Sequence, residues 1–288
     1  MPLSSRTIDP GIERAKPLLG TTVTVRVHGL EPARAHAAID AGFEVVRRVH
    51  EAMSFQEGDS EVSRLNRDAW KAPVEVSNAT YAVIAHAQAI SALTEGAFDI
   101  TVAPLLVARG LLPCPGHAPD PDGRAIWRDI ELLPENHIRF RRPLWIDLGG
   151  IAKGYAVDCA MAALQAFAPS QASVNAGGDL RIAGPDHERV RLAADHSDDE
   201  TIPVMELANC SLASSEGRAL GPHIDPRRRN TDARRFVSVA APRCIDADAL
   251  TKVVMARGAC AGRSLAVLSA RAVMYDAEFG WREIGGHA

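Results

Sequence analysis

Two periods run through the hydrophobic positions of this chain. Residues 18–27 alternate, with Val23, Val25 and Val27 set between Thr22, Thr24 and Arg26, the period of a strand with one buried face. From Pro32 to Phe55 the spacing lengthens to that of an amphipathic helix, with Ala38, Phe43, Val46 and Val49 as the inward positions. Ser60 then stands as N-cap of a short helix. Residues 74–76 read as a short strand, and Asn78 or Thr80 caps an alanine-rich helix that runs to about Thr94 and breaks at Gly96. Phe98 and Asp99 fall in the loop beyond. Prolines 113, 115, 119 and 121 make residues 109–125 irregular, and short strands are expected at 130–133 and 138–140.

The rest of the chain is arranged around residues 144–158, LWIDLGGIAKGYAVD. A short apolar run, Leu144 to Leu148, reads as a strand ending at Gly149-Gly150. Apolar residues then recur at helical spacing (Ile151, Tyr155, Cys159, Ala162, Ala163, Phe167). Strand, glycine turn and helix N-terminus together expose backbone N–H groups at the positive end of a helix dipole, which favours phosphates or carboxylates. An ordinary buried strand and turn would have the same spacing, and no standard nucleotide motif is matched. Residues 172–182 repeat the strand and Gly-Gly turn at Gly177-Gly178, and two such turns point to a shared cleft.

Residues 190–193 and 204–207 are expected to continue a sheet, with loops at 214–217 and 221–226. The basic run from Arg227 to Arg235 is a solvated loop or a phosphate or partner contact. A strand at 236–240, a helix at 247–256 capped by Asp246, and segments at 265–268, 271–275 and Trp281 close the chain. Strands and helices mix without strict alternation. The expected fold is therefore α+β, with layered mixed sheets and packed helices, rather than doubly wound. Residues 1–17 are expected as a flexible arm, and 18–288 as a single domain, built as one unit or as two intimately packed subdomains.

Composition narrows the function. Hydrophobic residues make up 47% of the 288 positions and charged residues 24%, as in ordinary globular proteins. A net charge of −4 argues against a general nucleic-acid binder. The five cysteines are odd in number and widely spaced, so neither a disulfide framework nor a zinc site is expected. No apolar run approaches the roughly 20 residues needed to span a bilayer, so no membrane insertion is expected. The N-terminal residues lack an export pattern, and a cytoplasmic location is expected.

Asp147, Asp246 and Asp248 sit at strand exits or helix starts, where hard cations and phosphates are handled. Asp246 reads most simply as an N-cap. Asp248 is a poor interior helix former once the cap is filled. Lys252 lies four residues beyond it on the same face, as an ion-pair partner or as an ammonium beside a metal or phosphate position. Of the histidines, only His223, in a proline-bounded loop, stands out.

Taken in order, the segments LLGTTVTV, MSFQEGDSEVSRLN, GAFDITVAPL, IDLGGIAKGYAVD, VNAGGDL, HIDP and ADALTKVVMA resemble the FAD:protein FMN transferases, the ApbE-like proteins, from about residue 18 to 256. The resemblance implies an α+β flavin-binding fold and a Mg²⁺-dependent reaction. FAD would be split, its FMN phosphate joined to a threonine or serine hydroxyl of an acceptor flavoprotein, and AMP released. Phosphoryl transfer of this kind needs charge neutralisation and alignment more than a protein nucleophile.

By the same resemblance, Leu19 takes the place of a flavin-contacting methionine and Phe55 that of an aromatic. Ala97, Phe98 and Asp99 match a flavin loop, and Asp147 and Lys153 match FAD-contacting positions. Gly150 would offer its carbonyl to the metal. Asp248 would ligate the metal and could help deprotonate the acceptor. His223 and Ile224 belong to a loop matching the family's HIIDP, His223 counted as catalytic and Ile224 as cofactor-binding. The family's threonine metal ligand, four residues after the aspartate, is here Lys252, with Thr251 one residue early. A lysine there would bring its own charge in the cation's place. Two other outcomes stay open: a catalytically reduced FAD-binding protein, or an FAD pyrophosphatase giving FMN and AMP.

Overall fold

The computed structural model of the protein describes residues 11–192, 202–216, 235–276 and 278–285. In chain order, β1 (Ile12–Leu18) and β2 (Thr21–His28) lead to α1 (Pro32–Met53) and α2 (Glu61–Asp68). Next come β3 (Val74–Glu75), α3 (Asn78–Leu93), α4 (Ala103–Ala108), β4 (Ile130–Leu133) and β5 (His137–Phe140). α5 (Ala152–Gln165) precedes β6 (Gln171–Ala176), β7 (Asp179–Ala183), β8 (Glu188–Arg191), β9 (Val204–Leu207) and β10 (Ser211–Glu216). β11 (Arg235–Ala241), α6 (Cys244–Arg257), α7 (Gly262–Val267), β12 (Arg271–Asp276) and β13 (Gly280–Ile284) follow.

One sheet holds eight strands in the order β1-β2-β6-β7-β10-β11-β12-β13, each paired antiparallel with its neighbours. Alternation explains how it is covered. Val23, Val25 and Val27 of β2 are 0%, 0% and 1% exposed and face a helical layer, in which α5 lies between α1 and α6. On the opposite face Leu180, Ile182, Leu212 and Phe236 form a second cluster with Leu192 and Leu207. A small sheet, β3-β5-β4, stands apart, as does the β8-β9 hairpin. This is the α+β layering expected. No helix among the described residues is long and apolar enough to cross a membrane.

Several local expectations need correcting. Residues 12–17, assigned to a loose arm, form β1 and pair with β2 along its length. Residues 144–148 are buried as expected but join no ladder. Their polar groups are met elsewhere: the Asn66 amide accepts the Ile146 N–H at 2.8 Å and donates to the Ile146 carbonyl at 3.1 Å, while the Asp147 N–H bonds Ile100 O at 2.8 Å. Ser77, not Asn78 or Thr80, caps α3, its hydroxyl accepting the Thr80 N–H. Asp246 does not cap α6, which starts two residues before it at Cys244. Residues 214–216 belong to β10 rather than to a loop. The segment around Val190 forms its own hairpin with β9 rather than extending the main sheet.

Candidate functional site

The site is assembled where the N-terminus of α5 meets α6 and the β6–β7 turn. Ala176 pairs with Asp179, so Gly177 and Gly178 form a two-residue turn, with φ of 65° and 102°. Such hairpins need positive φ, which glycine supplies without strain. The turn delivers Asp179, 2% exposed, beneath α5.

Gly154 sets the distance between α5 and α6. A Cβ there would stand 2.3 Å from the Cys244 carbonyl oxygen and 2.8 Å from the Asp248 Cβ, so only glycine permits this approach. The contact brings the Gly154 N–H to Asp248 Oδ2 at 3.1 Å.

Around Asp248, which is fully buried, the charges interlock. The Lys252 ammonium rests on Asp248 Oδ1 and donates to Ser215 Oγ at 3.3 Å. Lys153 Nζ lies 2.9 Å from Asp179 Oδ2 and 3.9 Å from Asp248 Oδ1. Burial, and then the Asp248 charge, push Asp179 up to about 6 against the pull of both lysines. Burial acts on Asp248 in the same sense, but there Lys153, Lys252 and the Gly154 N–H outweigh it, and its carboxyl is held below the ordinary range. Burial also opposes the Lys153 charge, yet Asp248 and Asp179 outweigh it and raise its pKa. Asp147 is pushed up by desolvation, despite the Gly149 N–H and the two lysines.

Lys153, Lys252, Ser215 and Asp147 border a cleft of about 420 Å³, in the size range of small-molecule sites. Its lining combines apolar side chains, Phe98, Leu106 and Leu111, with the polar Asp147, Lys153, Lys252 and Ser214. A second cleft of about 260 Å³ adjoins it, sharing Leu112, Asp147, Gly149 and Lys153. The structure thus brings most of the expected residues together. Ala97, Phe98, Asp99 and Gly150 line the larger cleft, Leu19 and Phe55 the smaller, and Asp147 and Lys153 both. Leu19 reaches its place through a left-handed φ of 55°, in the two-residue turn between Leu18 and Thr21. Asp99 holds its loop together: Oδ1 accepts the Thr101 N–H and hydroxyl at 2.8 Å, and Oδ2 the Trp127 N–H at 3.3 Å.

Asp248 and Thr251 do not line either cleft. The Thr251 hydroxyl, fully buried, donates to the Asp248 carbonyl at 2.7 Å and meets Ser215 Oγ at 2.8 Å. His223 and Ile224 lie outside the described residues, as do residues 227–234 of the basic run. Sequence reading missed Asp179, Ser214 and Ser215 as site residues. The GGD turn was the signal for Asp179.

The chemistry of the donors does not fit the Mg²⁺ that the resemblance implies. Mg²⁺ takes oxygen ligands at about 2.0–2.1 Å in near-octahedral array. Here one Asp248 oxygen holds the Lys252 ammonium and the other the Gly154 N–H, and the Thr251 hydroxyl turns to β10.

The model of the ApbE family matches residues 19–274. The FAD:protein FMN transferase of Treponema pallidum is 28% identical over 284 residues, covering 85% of this chain and 78% of that protein. That of Vibrio cholerae is 28% identical over 278 residues, covering 87% and 82%. Among solved structures, the ApbE protein of Thermotoga maritima superposes with a TM-score of 0.81 at 25% identity, covering 94% of this chain and 96% of the other. The flavin transferase ApbE of Vibrio cholerae gives 0.80 at 24% identity, covering 95% and 97%, a likeness of fold.

Proposed function

The chain belongs to the ApbE family, and from that membership and the cleft we propose that it is a transferase that takes FAD and moves its FMN to a protein acceptor. The acceptor is a threonine or serine hydroxyl of a flavoprotein. Its oxygen forms a bond to the FMN phosphorus, the bond from that phosphorus to the bridging oxygen breaks, and AMP leaves with the electron pair. The hydroxyl proton passes to a carboxylate of the cleft.

The observation that carries this reading is the pairing of apolar side chains, Phe98, Leu106 and Leu111, with two ammonium groups, Lys153 and Lys252, in one cleft. A flat aromatic ring suits the first and a pyrophosphate the second. Lys153 and Lys252 neutralise charge as it shifts onto the departing AMP. Asp147 suits the role of base: it borders both clefts, and its raised pKa makes it a better proton acceptor than Asp248. Asp248, paired to two ammonium groups, holds them in position instead. Mg²⁺ has no part in this proposal. The compartment proposed is the cytoplasm, which suits five cysteines that are all free thiols.

The test is product analysis after incubation with FAD and an acceptor domain carrying a threonine. AMP release that requires the threonine supports transfer. AMP release at the same rate without an acceptor identifies a pyrophosphatase, and FAD bound but intact identifies a binding protein.

A further inference from the structure

In the same cleft, Lys252 occupies space with unusual completeness. Its side chain is 19% exposed, and its Cε passes 3.3 Å from where a Gly150 Cβ would stand. Its ammonium contacts Asp248 Oδ1 and the Ser215 hydroxyl, so a carboxylate and a hydroxyl meet one positive charge, while the methylene stem runs past Gly150. A carboxylate and a hydroxyl are oxygens that a hard cation would take, and here an ammonium already holds both. Lys153 adds a second fixed charge 3.9 Å from the same carboxylate oxygen. A divalent ion on Asp248 Oδ1 would meet two ammonium groups at that oxygen.

We propose that Lys252 is a built-in replacement for the divalent cation, so that the chain binds FAD and cleaves its pyrophosphate without a metal ion. This rests on the flavin-transfer reading. Lys252 acts by contact with the pyrophosphate oxygens, and the transfer balances as written above, the ammonium keeping its protons throughout. A lysine serves as a point charge for phosphate in this way without the geometric demands of a metal.

The experiment follows flavin fluorescence on titrating FAD into the full chain, in EDTA and in Mg²⁺, together with Mn²⁺ binding to the FAD-loaded chain by electron paramagnetic resonance. Expected are equal FAD affinities in both buffers and no stoichiometric Mn²⁺ site. Lys252→Thr, which restores an oxygen ligand, should lose at least about tenfold in FAD affinity in EDTA and recover in Mg²⁺. Lys252→Met, neutral and of similar shape, should lose affinity in both buffers, and its thermal melt reports whether it folds. Wild-type affinity that falls about tenfold on chelation, or stoichiometric Mn²⁺ binding by the wild type, overturns the proposal while leaving the flavin reading intact. Absence of FAD binding in both buffers overturns the flavin reading itself.

Discussion

Asp158, on α5, caps α6 from outside that helix: its Oδ1 accepts the N–H of Cys244 at 3.0 Å. The other oxygen takes the N–H of Ile245, also at 3.0 Å, and Arg181 pairs with the same carboxylate. A carboxylate at a helix N-terminus satisfies donors left open there and meets the positive end of the dipole. The consequence is functional as well as structural, because this cap fixes the helix that carries Asp248 and Lys252. Asp158→Ala should cost about 1–2 kcal/mol, seen as a lower thermal midpoint. It should also weaken FAD binding. A variant as stable as wild type would remove the cap from the account.

Gly154 is the second device holding α5 to α6. Alanine favours a helix over glycine by about 1 kcal/mol, so a helix with free space at this point would gain from Gly154→Ala. The clash at 2.3 Å with the Cys244 carbonyl predicts the opposite sign. The variant should be destabilised by about 1–3 kcal/mol or more in chemical denaturation. Any net stabilisation would contradict the close crossing.

If Asp147 takes the acceptor proton, Asp147→Asn should lower kcat by about a hundredfold or more, with the Kd for FAD little changed. Loss of FAD binding with kcat preserved at saturation would make Asp147 a binding residue instead.

Asp246 offers a pH test away from the cleft. Burial raises its pKa, but His86, 2.7 Å from Oδ1, and Arg243, 2.7 Å from Oδ2, outweigh this and hold it below 3.8. The stabilisation is therefore present above pH 3.8 and is lost as pH falls through the lowered folded value. Asp246→Asn should destabilise the protein at neutral pH by about 1–3 kcal/mol. The gap to wild type should close in acid; a gap constant down to pH 3 would refute the assignment.

How much of this was legible beforehand depends on the range of the interaction. Local signals held: the alternating valines of β2, the Ser60 cap, whose hydroxyl accepts the Ser63 N–H, and the i,i+4 pair of Asp248 and Lys252. Signals completed across the fold failed. The apolar run at 144–148 was legible as buried, but its backbone partner is the side chain of Asn66, 80 residues away. Of the residues expected at helical spacing, Ile151 is buried, but Tyr155, Cys159, Ala162 and Ala163 lie off the core face of α5, which is Ala152, Ala156, Val157, Ala160, Met161 and Leu164. That face is set by packing against α1 and α6, a contact between elements distant in sequence. The ordered motifs pointed to residues that line the clefts; the buried Asp179 and Ser215 that complete the charge cluster were not among them.

The most direct test of flavin transfer is the intact mass of an acceptor domain after incubation with this chain and FAD. The expected result is a gain of one FMN, lost when the acceptor threonine is replaced by valine and insensitive to EDTA. An acceptor of unchanged mass, with FAD consumed or intact, would contradict it.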